Sequence, residues 1–488
     1  MRRLMLLFPM LLLLVACSSG PQVEPSHVVL ELPQPQYNVA LAVSGSISHE
    51  VLLETAEIIS VRYADLDLID DSTQLGAAVA RLFPIEELSQ ENVSTYVRVL
   101  KILDRGAQSR DTSAYGNAVY RLALTSESPR LLADLFEAFA VVADPDEALL
   151  RSILDRLYSF SLGEERTAAL IRVARLTAEQ GGGGGLNAIV QQTIPTLPTT
   201  ASPLVRVANL VAVSRLSTEL DRDSDADFLR SRALRILDTD ELRVSQRDIP
   251  VLYQCLDDLV AQDEFPVATR IAVAVTPLRS RALAYLYVAD RAGERTLLQR
   301  SYFDLAVEVI QTMTDPADRM ELAGRVLVAL SSVYETPMVT DTDSVLRKIE
   351  WTGADRAYPL AALIIAGDPD AALEELSKWN LPVSTGYTEL AGEVLRLLVD
   401  AGGPDQAAAV IAYLVQQEAF TPSPAYALQL MRLGRVTEGL RLFGTIPITT
   451  TADRELVVAG LLTMAADYLP QGEERSLLSR ILERATVR

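Results

Sequence analysis

Cysteine, histidine and tryptophan are scarce in this chain, with two of each in 488 residues. Two cysteines, Cys17 and Cys255, supply no disulfide framework to hold a loop-rich fold together. Cys255 lies in Val251-Leu252-Tyr253-Gln254-Cys255-Leu256, an apolar helical pattern that suits a small core residue better than a nucleophile. His27 and His49 both fall in or beside the N-terminal tract, which argues against His-based catalytic triads and His-rich metal sites. Aromatics amount to 6% while 49% of residues are hydrophobic, a balance that favours many short helices over a β-sandwich. Cations are also in deficit. The net charge of −21 repels phosphates, so no nucleic-acid partner is expected.

No apolar run at the N-terminus is long enough to span a bilayer. Arg2-Arg3 precedes the run Leu4 to Val15, which falls short of the roughly 18 residues a spanning helix needs and reads as a signal-peptide core. It ends in Leu14-Val15-Ala16-Cys17, followed by Ser18-Ser19-Gly20. This pattern resembles the lipobox of bacterial lipoproteins. The resemblance implies cleavage before Cys17, a diacylglycerol on its sulfur, and an acyl chain such as palmitate on its new amino group. Two or more acyl chains anchor a protein stably to a membrane, where one does not. Ser18 resembles the outer-membrane sorting pattern. Residues 1–16 are therefore expected to be a lipoprotein signal peptide. Residues 17–47, with Pro21, Pro25, Pro33 and Pro35, are expected to be the lipidated Cys and an extended tether. Within them, Tyr37 to Val43 fits either a short strand or the edge of the first helix.

From about Ser48 onward the helical pattern is nearly continuous, divided by Gly, Pro, Asp and Ser. Asp144-Pro145-Asp146-Glu147 has the composition of a capped helix start, and Asp315-Pro316 and Asp368-Pro369 repeat it in part. The chain also repeats itself over longer distances. Glu321-Leu322-Ala323-Gly324-Arg325-Val326-Leu327 returns as Glu389-Leu390-Ala391-Gly392-Glu393-Val394-Leu395, and Ala459-Gly460 follows at the same 68-residue offset. Ala357-Tyr358 returns as Ala425-Tyr426, also after 68 residues. Half that offset, 34 residues, is the length of one helix–turn–helix repeat. Ala292-Gly293, Ala366-Gly367, Ala401-Gly402 and Leu433-Gly434 mark expected turns, where glycine can take the left-handed C-cap. The pattern resembles the tetratricopeptide and related helical-hairpin repeats, without the early Trp of the full consensus. The expected fold is therefore all-α, an α-solenoid of antiparallel helix pairs.

Five glycines, Gly181 to Gly185, with Pro195 and Pro198 beyond, suggest a joint over 181–202. It would divide an N-terminal helical segment, 48–180, from a C-terminal one, 203–488. Glu474 to Arg488 reads as a closing cap helix over the last apolar face. The glycine run is not a phosphate loop, because Leu186-Asn187-Ala188 stands where Gly-Lys-Ser/Thr would be needed. Asp221 to Asp227 imitates a calcium loop, but Ala226 and Arg232 occupy the positions of its Gly and Glu, so an acidic helix start is the better reading. Asp65, Asp67, Asp70 and Asp71 read as a solvated turn.

Arg247, Arg281, Arg319 and Arg356 stand near the starts of successive helices and form the candidate binding set. Four cations at near-regular steps can grip an acidic peptide or a glycan carboxylate, or can serve repeat-internal ion pairs. No catalytic constellation, metal site or cofactor is expected. The functional expectation is a non-enzymatic scaffold anchored to the bacterial envelope, at the outer membrane, that binds a protein or peptide. The alternative is a glycan-binding or glycan-cleaving lipoprotein that uses carboxylates the sequence does not single out.

Overall fold

The computed structural model describes residues 48–468, apart from 66–68, 107–112, 141–146, 182, 198–200, 294, 334–348, 350, 379–385, 401–422, 444, 447 and 449. The lipobox, the tether, Tyr37 to Val43, Asp67, the Asp144-Pro145-Asp146 start, Gly402 and the expected cap helix lie outside the described residues.

Among the described residues are 21 α-helices, and the only strands are two of two residues each, so the chain is an all-α helical array as expected. In chain order the first ten helices are α1 (His49–Asp65), α2 (Ile69–Leu82), α3 (Val93–Gly106), α4 (Ser113–Leu124), α5 (Pro129–Ala140), α6 (Glu147–Ser159), α7 (Glu164–Glu179), α8 (Gly183–Thr193), α9 (Pro203–Glu219) and α10 (Asp223–Thr239). Then follow α11 (Ile249–Val260), α12 (Phe265–Ala274), α13 (Leu278–Arg291), α14 (Thr296–Thr312), α15 (Pro316–Val333), α16 (Ala357–Ile365), α17 (Pro369–Ser377), α18 (Gly386–Asp400), α19 (Pro424–Arg432), α20 (Val436–Phe443) and α21 (Thr451–Tyr468).

Local chemistry sets where these helices begin and end. Asp315 Oδ1 accepts from the N–H groups of Ala317 and Asp318, at 2.8 and 3.2 Å, and Pro316 takes the first helical position, where no N–H is needed. Asp368 caps α17 in the same way through the Ala371 N–H at 2.9 Å, and Ser423 caps α19 through the Tyr426 N–H at 3.2 Å. Gly293, Gly367 and Gly434 take φ values of +56°, +82° and +82° directly after α13, α16 and α19, the left-handed ends expected of them.

Twelve helices form one continuous series: α1, α3, α5, α7, α9, α11, α13, α15, α16, α18, α19 and α21, each packed on the next. Each of the remaining described helices packs against members of the series. The buried apolar residues lie between the packed helices. The parallel pair β1 (Leu242–Arg243) and β2 (Val275–Thr276) ties the entry to α11 to the entry to α13.

Two features depart from the sequence reading. The stretch expected to be a joint contains α8, whose Leu186, Ile189 and Val190 are buried, and the apolar core passes through it without a break. Three buried apolar side chains on one helical face outweigh the intrinsic cost of the leading glycines. The stack also does not end in an open face. α21 packs against α1, the Ser48 N–H donates to Glu455 Oε1 at 3.0 Å, and Val457, Val458 and Leu461 share a core with Leu52, Leu53 and Ala56. Within residues 36–488 the helix series closes on itself.

The 68-residue repeat places glycines and tyrosines in alternation, and at one of its positions the glycine is required by packing. Gly324, Tyr358, Gly392, Tyr426 and Gly460 follow one another at 34-residue steps on α15, α16, α18, α19 and α21. Adjacent helices thus alternate a glycine with a tyrosine at equivalent positions. A Cβ on Gly324 would lie 2.2–2.6 Å from the Tyr358 ring, so the missing side chain is what lets α16 seat against α15.

Candidate functional site

A belt of ion pairs crosses the helix series from one helix to the next. Arg98 on α3 binds Glu57 on α1 at 2.8 Å, and Lys101 on α3 binds Glu137 on α5 at 2.9 Å. Arg172 on α7 reaches back to Asp134 and Glu137. Arg279 on α13 binds Glu321 on α15 at 2.7 Å and pairs with Asp318, while Arg325 binds Glu321 at 2.8 Å. Glu393 and Arg396 continue the pattern on α18.

One contact fixes the curvature. Arg175 on α7 pairs with Asp258 on α11, although α9 stands between them, and Arg215 on α9 binds the same carboxylate at 3.1 Å. Axes two steps apart in a flat layer stand about 18 Å from each other, beyond the reach of one arginine and one aspartate. The meeting of α7, α9 and α11 on a single side chain therefore marks this as the concave surface. Asp258 is 2% exposed, and burial pushes its carboxyl up against the pull of the two guanidiniums. At Glu137, burial also acts upward, but hydrogen bonds and charge from Lys101 and Arg172 outweigh it and hold the carboxyl below its ordinary range.

Between the paired charges lie tyrosines. Tyr253 on α11 stacks on Tyr287 on α13 with ring centres 4.0 Å apart. The Tyr287 hydroxyl donates to Asp257 at 2.7 Å, and Arg291 lies 5.3 Å over its ring. Burial pushes the Tyr253 phenol up, partly offset by the positive field of Arg325 and Arg279, which places it beside the belt. Half-buried, stacked tyrosines flanked by charge give rigid amphipathic contact area at low entropic cost.

Arg247, Arg281, Arg319 and Arg356 occupy the entries to α11, α13, α15 and α16. Arg281 Nε donates to the Val275 carbonyl at 3.0 Å and Arg356 Nε to the Trp351 carbonyl at 3.2 Å, so both brace the loop just before their own helix. Arg166, at the start of α7, does the same to the Phe160 carbonyl at 2.7 Å. Arg247 and Arg319 are exposed. The belt itself is a different set of residues.

Other sequence readings fall into place. Cys255 is fully buried, and burial pushes its thiol well up, so it is a core residue. Asp223 and Asp225 form the acidic first turn of α10, and Arg222 pairs with Asp225. Among the described residues, no group of three or more His, Cys, Asp or Glu side chains is arranged to hold a metal ion. No described helix is long and apolar enough to cross a membrane.

No protein-family model matches the chain, and no curated protein matches it. Among solved structures it is similar to a "circular tandem repeat protein with novel repeat topology and enhanced subunit contact surfaces". The two are 13% identical over 93% of this chain and 96% of that one, with a TM-score of 0.16. At that score the likeness carries no structural argument, and the closed helix series rests on its own contacts.

Proposed function

We propose that the protein is a bacterial envelope lipoprotein, held to the outer membrane by acyl chains on Cys17, whose concave helical surface binds a protein or peptide segment. The observation that carries this reading is the concave belt, where paired charges alternate with the Tyr253–Tyr287 stack. Such a surface offers hydrogen-bonding groups and flat apolar area to an extended partner, and it repeats at one helix step after another. Of the four arginines at the helix entries, the exposed Arg247 and Arg319 would add cationic contacts, while Arg281 and Arg356 also brace their own loops.

A photo-crosslinking amino acid at Tyr253, compared with one at Leu297, which is 87% exposed, tests the surface in whole cells. The expected result is a discrete crosslinked species from position 253 that is lost on Tyr287→Ala. Equal, diffuse crosslinking from both positions would count against the belt. Cys17→Ser is expected to move the protein from the membrane to the soluble fraction; unchanged partitioning would remove the anchor from the proposal.

The alternative, binding or cleavage of a cell-wall glycan, has one observation in its favour. Burial and the nearby carboxylates of Glu393 and Glu321 push the Asp355 carboxyl up, the direction a general acid needs. Release of murein fragments by the purified protein, abolished by Asp355→Asn, would move the reading to that alternative.

A further inference from the structure

A cluster of three arginines without carboxylate partners lines a cleft formed by α9 and α10. Arg206 on α9 and Arg232 and Arg235 on α10 line one cleft of about 240 Å³, with Leu197, Leu210 and Ile236 as its apolar wall. Their spacing follows from the helix pair. Arg232 and Arg235 are three residues apart and share a face of α10, and the antiparallel packing of α9 brings Arg206 opposite them.

Many arginines of this acidic chain pair with carboxylates, as Arg98, Arg172 and Arg279 do, but these three do not. Arg235 Nε donates only to the Ser231 carbonyl at 3.3 Å, and Arg232 lies 5.8 Å from the centre of the Phe228 ring. Among the described residues neither they nor Arg206 forms an ion pair. Among the described residues no acidic side chain lines the cleft. Of the two aspartates beside its Thr239, Asp238 is paired with Arg270, and Asp240 lies near the Thr239 hydroxyl at 3.4 Å. Arg206 and Arg232 are half-buried and Arg235 is exposed at the mouth, and an anion placed among three like charges lowers their repulsion while accepting charge-assisted hydrogen bonds.

We propose that this cleft binds a phosphomonoester with a short apolar portion. A phosphate dianion presents enough oxygens to serve three guanidiniums at once, which a single carboxylate does not. The apolar portion would lie against Leu197, Leu210 and Ile236. The volume is below the usual range for drug-sized ligand pockets, so the ligand is small or enters only by its head. A soluble phosphomonoester and the phosphate headgroup of a lipid share this chemistry.

Isothermal titration of the full chain with hexyl phosphate and with inorganic phosphate tests the site. One equivalent of hexyl phosphate is expected to bind at least tenfold more tightly than inorganic phosphate. Arg206→Gln and Arg232→Gln are each expected to weaken it tenfold or more, while Arg243→Gln, on β1 and not in the cleft, leaves it unchanged. Circular dichroism identifies any variant that misfolds, and the other cleft variant then decides. Vesicles of phosphatidylcholine with and without phosphatidic acid form the second arm. Sedimentation with the phosphatidic acid vesicles that depends on Arg206 and Arg232, without binding of hexyl phosphate, would assign the phosphate to a lipid. The proposal is overturned if neither probe binds, if hexyl phosphate binds no better than inorganic phosphate and vesicles do not bind, or if the cleft variants bind as the wild type does.

Discussion

At the scale of single residues, Gly324 and Gly392 look alike in sequence and differ in what surrounds them. A methyl group at 324 would overlap the Tyr358 ring, whereas nothing lies within 4 Å of a Cβ built at 392. Gly324→Ala is therefore expected to destabilise the fold by about 1–3 kcal/mol through overpacking. Gly392→Ala, in the middle of α18, is expected to stabilise it by about 0.5–1 kcal/mol through helix propensity. Urea denaturation separates the two, and equal effects would mean that the close approach of Tyr358 does not require a glycine at 324. Glu137 gives a dependence on pH. Its folded carboxyl is held below the ordinary value, so the stability it contributes is present above the unfolded pKa of about 4.3 and is lost as pH falls through the folded value. Glu137→Gln is expected to flatten the loss of stability between about pH 5 and 3, read from midpoints across that range. An unchanged slope would assign the acid sensitivity to other groups.

At the scale of helices, much was legible in the sequence because caps and turns are local. Asp315, Asp368 and the three left-handed glycines each act within a few residues of where they stand, and each does what its composition implied. Asp368→Ala, which removes the cap on α17, is expected to cost about 1 kcal/mol in thermal or urea unfolding, while Asp370→Ala, one position beyond the leading proline, costs less. The glycine run was harder to read, since a count of glycines says nothing of the apolar face that Leu186, Ile189 and Val190 present to their neighbours. The belt was illegible for a different reason. Its partners stand one repeat apart on different helices, as in Arg98 with Glu57 or Arg279 with Asp318, and no local window contains both. A search for opposite charges at offsets near 34–43 residues would have found several of them. The arginines at 247, 281, 319 and 356 are near-regularly spaced, but regularity also follows from a repeated structural task, and Arg281 and Arg356 perform one at the backbone.

For the molecule as a whole, the decisive feature is the contact between its first and last described helices. The repeats implied a curved stack, but no residue pattern says whether a curve closes, because closure is the sum of many small rotations between neighbours. α21 and α1 cover apolar surface on each other. Their contact also joins the two ends of the series, so under the proposed function variants that open the seam should weaken binding without touching the belt itself. The direct measurement is a short bismaleimide crosslink between Ser48→Cys and Glu455→Cys in a Cys17→Ser background, with Glu57→Cys and Arg98→Cys as the reference pair. A closed series requires both pairs to crosslink within one monomer at similar rates, whereas crosslinking of the reference pair alone would show that the two ends stand apart.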